Sequence, residues 1–214
     1  MYVYTTALVV ARDKWRKSFM SILKSMKELK NIKWYISNAK KHFITITKHR
    51  HMVMKHCFQA GIFLQGCRHD LSKYTPTEFI PGVLHYQGYR SPNEGEREEY
   101  GFSKAWMHHK GRNRHHFEYW TDYNPKTKRM VGVPMPDKYI IEMFCDRVAA
   151  SKIYQGDAYT EQSPLAYFER GKKTRMIHPQ TSRKIEKLLT MLAKKGEDET
   201  FRYIRKVVFL KKKL

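Results

Sequence analysis

The sequence predicts a mostly α-helical, all-α fold built on a single helical domain with basic helical extensions. Three observations carry this reading. Apolar residues recur every three to four positions through most of the 214 residues, as one face of a helix requires. Proline stands at the start of three such segments, at Pro76, Pro92 and Pro136, where its missing N–H costs a helix nothing. Strand candidates are few and weak.

The elements follow in order. Residues 12–30 place Trp15, Phe19, Ile22 and Met26 on one face of an amphipathic helix. A second helical stretch starts near Ile36 and runs to about Gln65, where Gly66 breaks the pattern. HDLSKYTPTEF then turns into a new helix at Thr75-Pro76, with Glu78 placed three residues on for a capping box. Ser91-Pro92 opens another helix by the same logic. Residues 121–136, rich in turn formers, predict a loop with a short hairpin. Residues 136–154 predict a strong helix with Ile140, Ile141, Phe144, Val148 and Ile153 largely on one face. TSRKIEKLLTMLAKK and ETFRYIRKVVFLKKKL predict two more.

Composition bounds the function. At 41% hydrophobic content the chain can build a core, and no apolar run reaches the length of a membrane span. The N-terminus lacks the charges-first order of a secretory signal, so a cytoplasmic location is expected. Three cysteines, Cys57, Cys67 and Cys145, include no C-x-x-C, which excludes a disulfide framework, a zinc finger and c-type haem attachment.

The net charge of +22 is uneven. Residues 1–60 hold 13 Lys+Arg against 2 Asp+Glu, residues 171–214 hold 14 against 4, and the middle holds 15 against 14. Basic ends suit a polyanion such as nucleic acid, or an anionic membrane surface, or serve simply as a solvated surface. The expected organisation is therefore a basic N-terminal helical extension over 1–40, a central domain over 41–170 and basic C-terminal helices over 171–214.

The neutral middle holds the chemistry. His49, Val53, His56, Ala60 and Phe63 share one helical face upstream of His69-Asp70. Asp146 sits beside the apolar face of Ile141, Phe144 and Val148, where an unpaired carboxylate is costly. A metal or a cationic partner would justify it. The run WMHHKGRNRHHFEYW adds His108, His109, His115 and His116. Those histidines suit metal ligation, a polar network, or nucleic-acid contact with Trp106, Tyr119 or Trp120 stacking on bases. Glu94, Glu96, Glu98 and Glu99 read as a solvated helix start, and Glu78 and Glu118 as acids or bases one step back from the site.

The order His, His-Asp, Asp on helices resembles the HD superfamily of metal-dependent phosphohydrolases. HDLSK is similar to that family's HD-hydrophobic-small-Lys motif, CDRVAASK to its closing segment and HHKG to the stretch that supplies further ligands in dinuclear members. The resemblance covers roughly residues 45–155. HDLSKY-PTEF, SPNE-ER, AW-HHKGRN-HH-EYW and EM-CDR-AASK-Y also resemble a bacterial family of unknown function.

The HD resemblance implies that His49, His69, Asp70 and Asp146 coordinate one divalent ion of Mn, Fe, Co, Ni or Zn. His108, His109 or His116 would hold a second, and Lys73, Arg112 and Arg114 would stabilise charge on a phosphoryl group. The expected activity is hydrolysis of a nucleotide or related phosphate ester, so the expected partner is a phosphate-containing small molecule. The alternative is a non-enzymatic nucleic-acid-binding protein that uses its basic ends and the Arg/His/aromatic stretch.

Overall fold

The structure, a computed structural model, describes the backbone of residues 3–210 and 214, and the side chains of those residues from 31 onward. The fold is mostly α-helical. Eight α-helices and one two-stranded sheet account for most of the regular structure of the described residues. The helices are α1 (Val3–Ala60), α2 (Phe63–Arg68), α3 (Pro76–Leu84), α4 (Pro92–Tyr100), α5 (Lys104–Arg112), α6 (Asp137–Gln155), α7 (Ser163–Arg170) and α8 (Pro179–Phe209). Strands β1 (Thr121–Asn124) and β2 (Arg129–Gly132) form the expected hairpin, with Thr121 opposite Gly132 and Asn124 opposite Arg129.

The chain divides into two compact units, Met1–Lys41 and His42–Leu214. The first is helical through its described residues. The side chains of Trp15, Phe19, Ile22 and Met26, the expected apolar face, lie outside the described residues. No helix among the described residues is long and apolar enough to cross a membrane.

Helix boundaries follow local chemistry. Gly61, at φ 84°, ends α1. Its N–H donates to Phe58 O and that of Ile62 to Cys57 O, the paired bonds of a Schellman motif. The break therefore falls at Gly61 and not, as the sequence suggested, at Gly66. Gly66 lies inside α2, where a Cβ would stand 2.6 Å from Cys57 Cβ, so it is a packing glycine. Pro76 and Pro92 open α3 and α4, and Ser91 Oγ accepts from Asn93 N. Thr75 makes no such cap. Its hydroxyl donates to Ser72 O, and Glu78 turns elsewhere. Gly196, at φ 84° and ψ 173°, kinks α8 into the two expected segments.

The core of the second unit brings three helices together. Val53, Cys57 and Ala60 from α1 meet Ile140, Phe144, Val148 and Ala149 from α6, with Ile185, Leu188, Leu192 and Ile204 from α8. Helix α8, within the stretch expected as basic C-terminal helices, thus gives an apolar stripe to this core while Arg183, Lys187, Lys194, Lys195, Arg202, Arg205 and Lys206 are exposed. The side chain of His49 lies on the α1 stretch that carries Val53, and Asp146 on the α6 stretch that carries Phe144. The core therefore fixes where both point.

Candidate metal centre

Five segments supply the site: α1, the turn after α2, α5, the loop after α5, and α6. The turn is the least ordinary of them. His69 has φ −56° and ψ 129°, whereas Asp70 adopts a left-handed conformation at φ 53° and ψ 25°. Asp tolerates that region better than most residues, yet it is uncommon and marks a held conformation. The Asp70 side chain makes no capping hydrogen bond, so its carboxylate is available to the centre.

That carboxylate is 2% exposed and its two oxygens face different partners. Oδ2 lies 3.3 Å from His69 Nε2 and 3.9 Å from His49 Nε2, while Oδ1 lies 3.3 Å from His109 Nε2 and 3.5 Å from His115 Nε2. Asp146 Oδ1 stands 3.0 Å from His49 Nε2 and 3.7 Å from His69 Nε2. Two clusters sharing Asp70 result, besides a smaller group of His69, His115 and Glu142 that joins one histidine from each. One holds His49, His69, Asp70 and Asp146; the other holds Asp70, His109, His115 and His116. Within each, one ligand atom per residue lies within 4.8 Å of every other. Two atoms each about 2.1 Å from one ion stand roughly 3.0 Å apart at a right angle and roughly 4.2 Å apart when opposite, so both clusters fit an ion with slight contraction.

A second observation points the same way. Nε2 of His49, His69, His115 and His116 and both Asp70 oxygens are buried without a well-directed hydrogen bond, the ion pairs of His49 with Asp146 and of Asp70 Oδ2 with Lys73 aside. Buried polar atoms are rarely left so, and a shared cation is one partner that would satisfy them together.

The opposite edges of the rings are held. His69 Nδ1 donates to Glu142 Oε1 at 3.0 Å, and His115 Nδ1 lies 3.2 Å from the same oxygen. Gln65 donates to the other oxygen of Glu142. Glu78 takes His109 Nδ1 on one oxygen and His108 Nδ1 on the other, both at 2.7 Å. A carboxylate behind a histidine fixes its tautomer and aims Nε2, as around metal ions generally. Glu142 thus serves one histidine in each cluster.

The electrostatics agree. Burial opposes ionisation of Asp70, but His69 and Lys73 outweigh it and hold its pKa well below the usual carboxylate range. Asp146 is likewise held low against burial by His49 and His69, and Glu142 is lowered to about 2 against burial by His115 and His69. Glu78 is lowered against burial by His109 and His108. Burial favours a neutral His69, but Asp70, Asp146 and Glu142 raise its pKa well above the ordinary value. His116 is driven well down by burial and by His115 and His109, which keeps it neutral, the form able to ligate a metal. Four ionised carboxylates face two cations, the His69 imidazolium and the Lys73 ammonium, whose Nζ is 2.7 Å from Asp70 Oδ2. Divalent cations would balance this excess of negative charge.

The residues expected from sequence divide as follows. His49, His69, Asp70 and Asp146 come together in one cluster, and His109 enters the other. His108 does not; it supports Glu78 from the side. Lys73 touches the centre, whereas Arg112 and Arg114 line a cleft together with His115 and Glu142. His115 and Glu142 were not singled out as site residues. Glu142 stands one helical turn before Asp146, and that spacing was its available signal. Glu118 is buried and its pKa is raised, chiefly by burial, but it joins neither cluster. Glu94, Glu98 and Glu99 form exposed pairs with Arg97, Arg90 and His85. Glu96 departs from the expected solvated role. It is buried and accepts from Ser103 Oγ at 2.5 Å, Lys104 N at 3.0 Å and Ala105 N at 3.3 Å, which caps the helix carrying His109.

No curated protein and no solved structure matches the chain. A family of unknown function, DUF5662, matches over residues 38–191. That span contains every residue of both clusters and both supporting carboxylates. The chain therefore belongs to the family DUF5662.

Proposed function

We propose that the two clusters bind a pair of divalent metal ions bridged by Asp70, and that the protein is a metal-dependent phosphohydrolase acting on a nucleotide or related phosphate ester. The observation that carries this reading is the division of Asp70. Each oxygen faces imidazole nitrogens of its own, His49 and His69 at Oδ2 and His109 and His115 at Oδ1. Imidazole with carboxylate suits Mn, Fe, Co, Ni or Zn. The order of His49, His69-Asp70 and Asp146 along the chain also agrees with the resemblance to HD phosphohydrolases.

Ions in these positions would supply Lewis acidity towards a phosphoryl oxygen and lower the pKa of a coordinated water. The chain's own groups do the rest. Glu142 and Glu78 hold the imidazole rings in place, so little reorganisation accompanies binding. The Lys73 side chain is 31% exposed while Asp70 is 2% exposed, so Lys73 marks the solvent side of the centre. There its ammonium can meet a phosphoryl oxygen as negative charge builds on it. Hydrolysis forms a P–O bond from water and breaks the ester P–O bond, and the leaving alcohol takes the proton.

Elemental analysis of untagged protein tests the reading. The expected result is up to two equivalents of divalent metal in the wild type. Asp70→Ala should lose both, because the bridge serves both clusters, while its far-ultraviolet circular dichroism stays unchanged. Full metal content in Asp70→Ala, or no uptake by the wild type after incubation with each ion, would falsify it.

A further inference from the structure

Beside the second cluster, with His115 and Glu142 in its lining, lies a cleft of about 400 Å³. Arg68, Arg112, Arg114 and Lys138 surround it, with Tyr139 among the lining residues. All four cations are exposed. Three of them contact neutral groups. Arg112 donates to His108 O at 3.5 Å, Arg114 donates to the Tyr139 hydroxyl at 3.3 Å, and Lys138 Nζ lies 4.9 Å from the Tyr139 ring centre. No carboxylate among the described residues pairs with any of the four. The one acid lining the cleft, Glu142, is already committed to His69, His115 and Gln65.

Four uncompensated positive charges around one concavity focus a field that concentrates anions. Three of the four are guanidinium groups, whose planar fork matches phosphate oxygens two at a time. The geometry points to a binding site for a diphosphate group in this cleft, separate from the metal clusters. The separation follows from His115. Its Nε2 faces Asp70 at 3.5 Å and its Nδ1 faces Glu142 at 3.2 Å. His115 and Glu142 line the cleft, but His115 Nε2 is buried, so an anion among the four cations does not reach the ligating atom. The cleft is thus an anion site coupled to the centre through Glu142, and the ester to be cleaved belongs on the Lys73 side.

Calorimetric titration of the full chain, freed of divalent ions by dialysis, tests this. The probes are inorganic pyrophosphate and ADP, which share the diphosphate group. Saturable binding at one site is expected for both. ADP tighter than pyrophosphate would assign the ligand to an organic diphosphate lying against Tyr139, and equal affinity would assign it to the diphosphate alone. Arg68→Gln/Lys138→Gln, two exposed positions, should keep its circular dichroism and weaken binding of both probes about a hundredfold, roughly tenfold per cation removed. Asp70→Ala should bind them as the wild type does, which separates this site from the metal reading. The proposal is overturned by absence of saturable binding, by equal affinity in the double variant, or by loss of binding in Asp70→Ala.

Discussion

Asp70 and Lys128 are the two non-glycine residues with positive φ among the described residues, and Asp70 alone of them is buried. A conformation of that kind survives only where the surroundings over-determine it. Here the surroundings are four imidazoles and an ammonium. His42 raises a different question of charge at the scale of one side chain. Burial, then the Lys73 charge, lowers its pKa to about 4. It packs against Phe79 and Tyr86, and a methyl at Gly82 would collide with its ring. The folded state therefore resists protonating His42, while the unfolded chain accepts the proton near 6.5. The resulting stability is present above pH 6.5 and lost as pH falls from there towards 4, by at most about 3 kcal/mol. Its imidazole resonances, followed by NMR, should not titrate until about pH 4. A midpoint near 6.5 would show that the ring is solvated. What the sequence disclosed at this scale was identity more than placement. His49, His69, Asp70 and Asp146 were named together because their order resembles that of HD phosphohydrolases, with helical spacing around His49 and an acid beside an apolar face at Asp146 as local support. Whether His108 or His115 faced the centre depended on how the chain leaves α5, and no spacing encodes that.

Among the elements, α5 shows how a helix is aimed. It spans nine residues, too few to hold its own conformation in water, so its position comes from its ends and its packing. Ser103 Oγ accepts from Trp106 N at 2.9 Å and donates to Glu96, while Glu96 takes two further N–H groups of the first turn. Glu96→Ala leaves those donors buried and unpaired and should lower the unfolding free energy by about 2 kcal/mol. Glu96→Gln keeps an acceptor and should lose less. Urea unfolding decides, and an unchanged midpoint in Glu96→Ala would remove the capping role. Elements were largely legible for the opposite reason to the site. Pro76, Pro92, Pro136 and the apolar period of α6 and α8 are written locally, and the helices begin where they indicate. Gly66 misled because a glycine needed for close approach to Cys57 reads the same as one needed for a turn. Glu78 misled because its partners, His108 and His109, lie about thirty residues away.

For the molecule as a whole, the centre and the core are one construction. Val53 and Cys57 of α1 pack on Phe144 and Val148 of α6, and the same two helices carry His49 and Asp146. The centre also draws in the Asp70 turn and the segment from His109 to His116. Ions bound there would tie together parts of the chain that are 97 positions apart at the extremes, from His49 to Asp146. The unfolded chain cannot offer both clusters at once, so binding energy becomes folding energy. A ligand held at a hundred times its dissociation constant stabilises the fold by about 2.7 kcal/mol. For a unit of this size that raises the melting temperature by roughly 5–10 °C. Metal-stripped wild type should therefore melt at a higher temperature as Mn, Co or Zn is added back, with the rise continuing with concentration. Asp70→Ala should show no such rise, because neither cluster keeps its shared carboxylate. Scanning calorimetry of the two proteins with and without metal makes the comparison. An equal rise in both would mean that the ions bind elsewhere, on unpaired surface carboxylates or histidines, and the buried clusters would then be a polar network that holds the five segments without them.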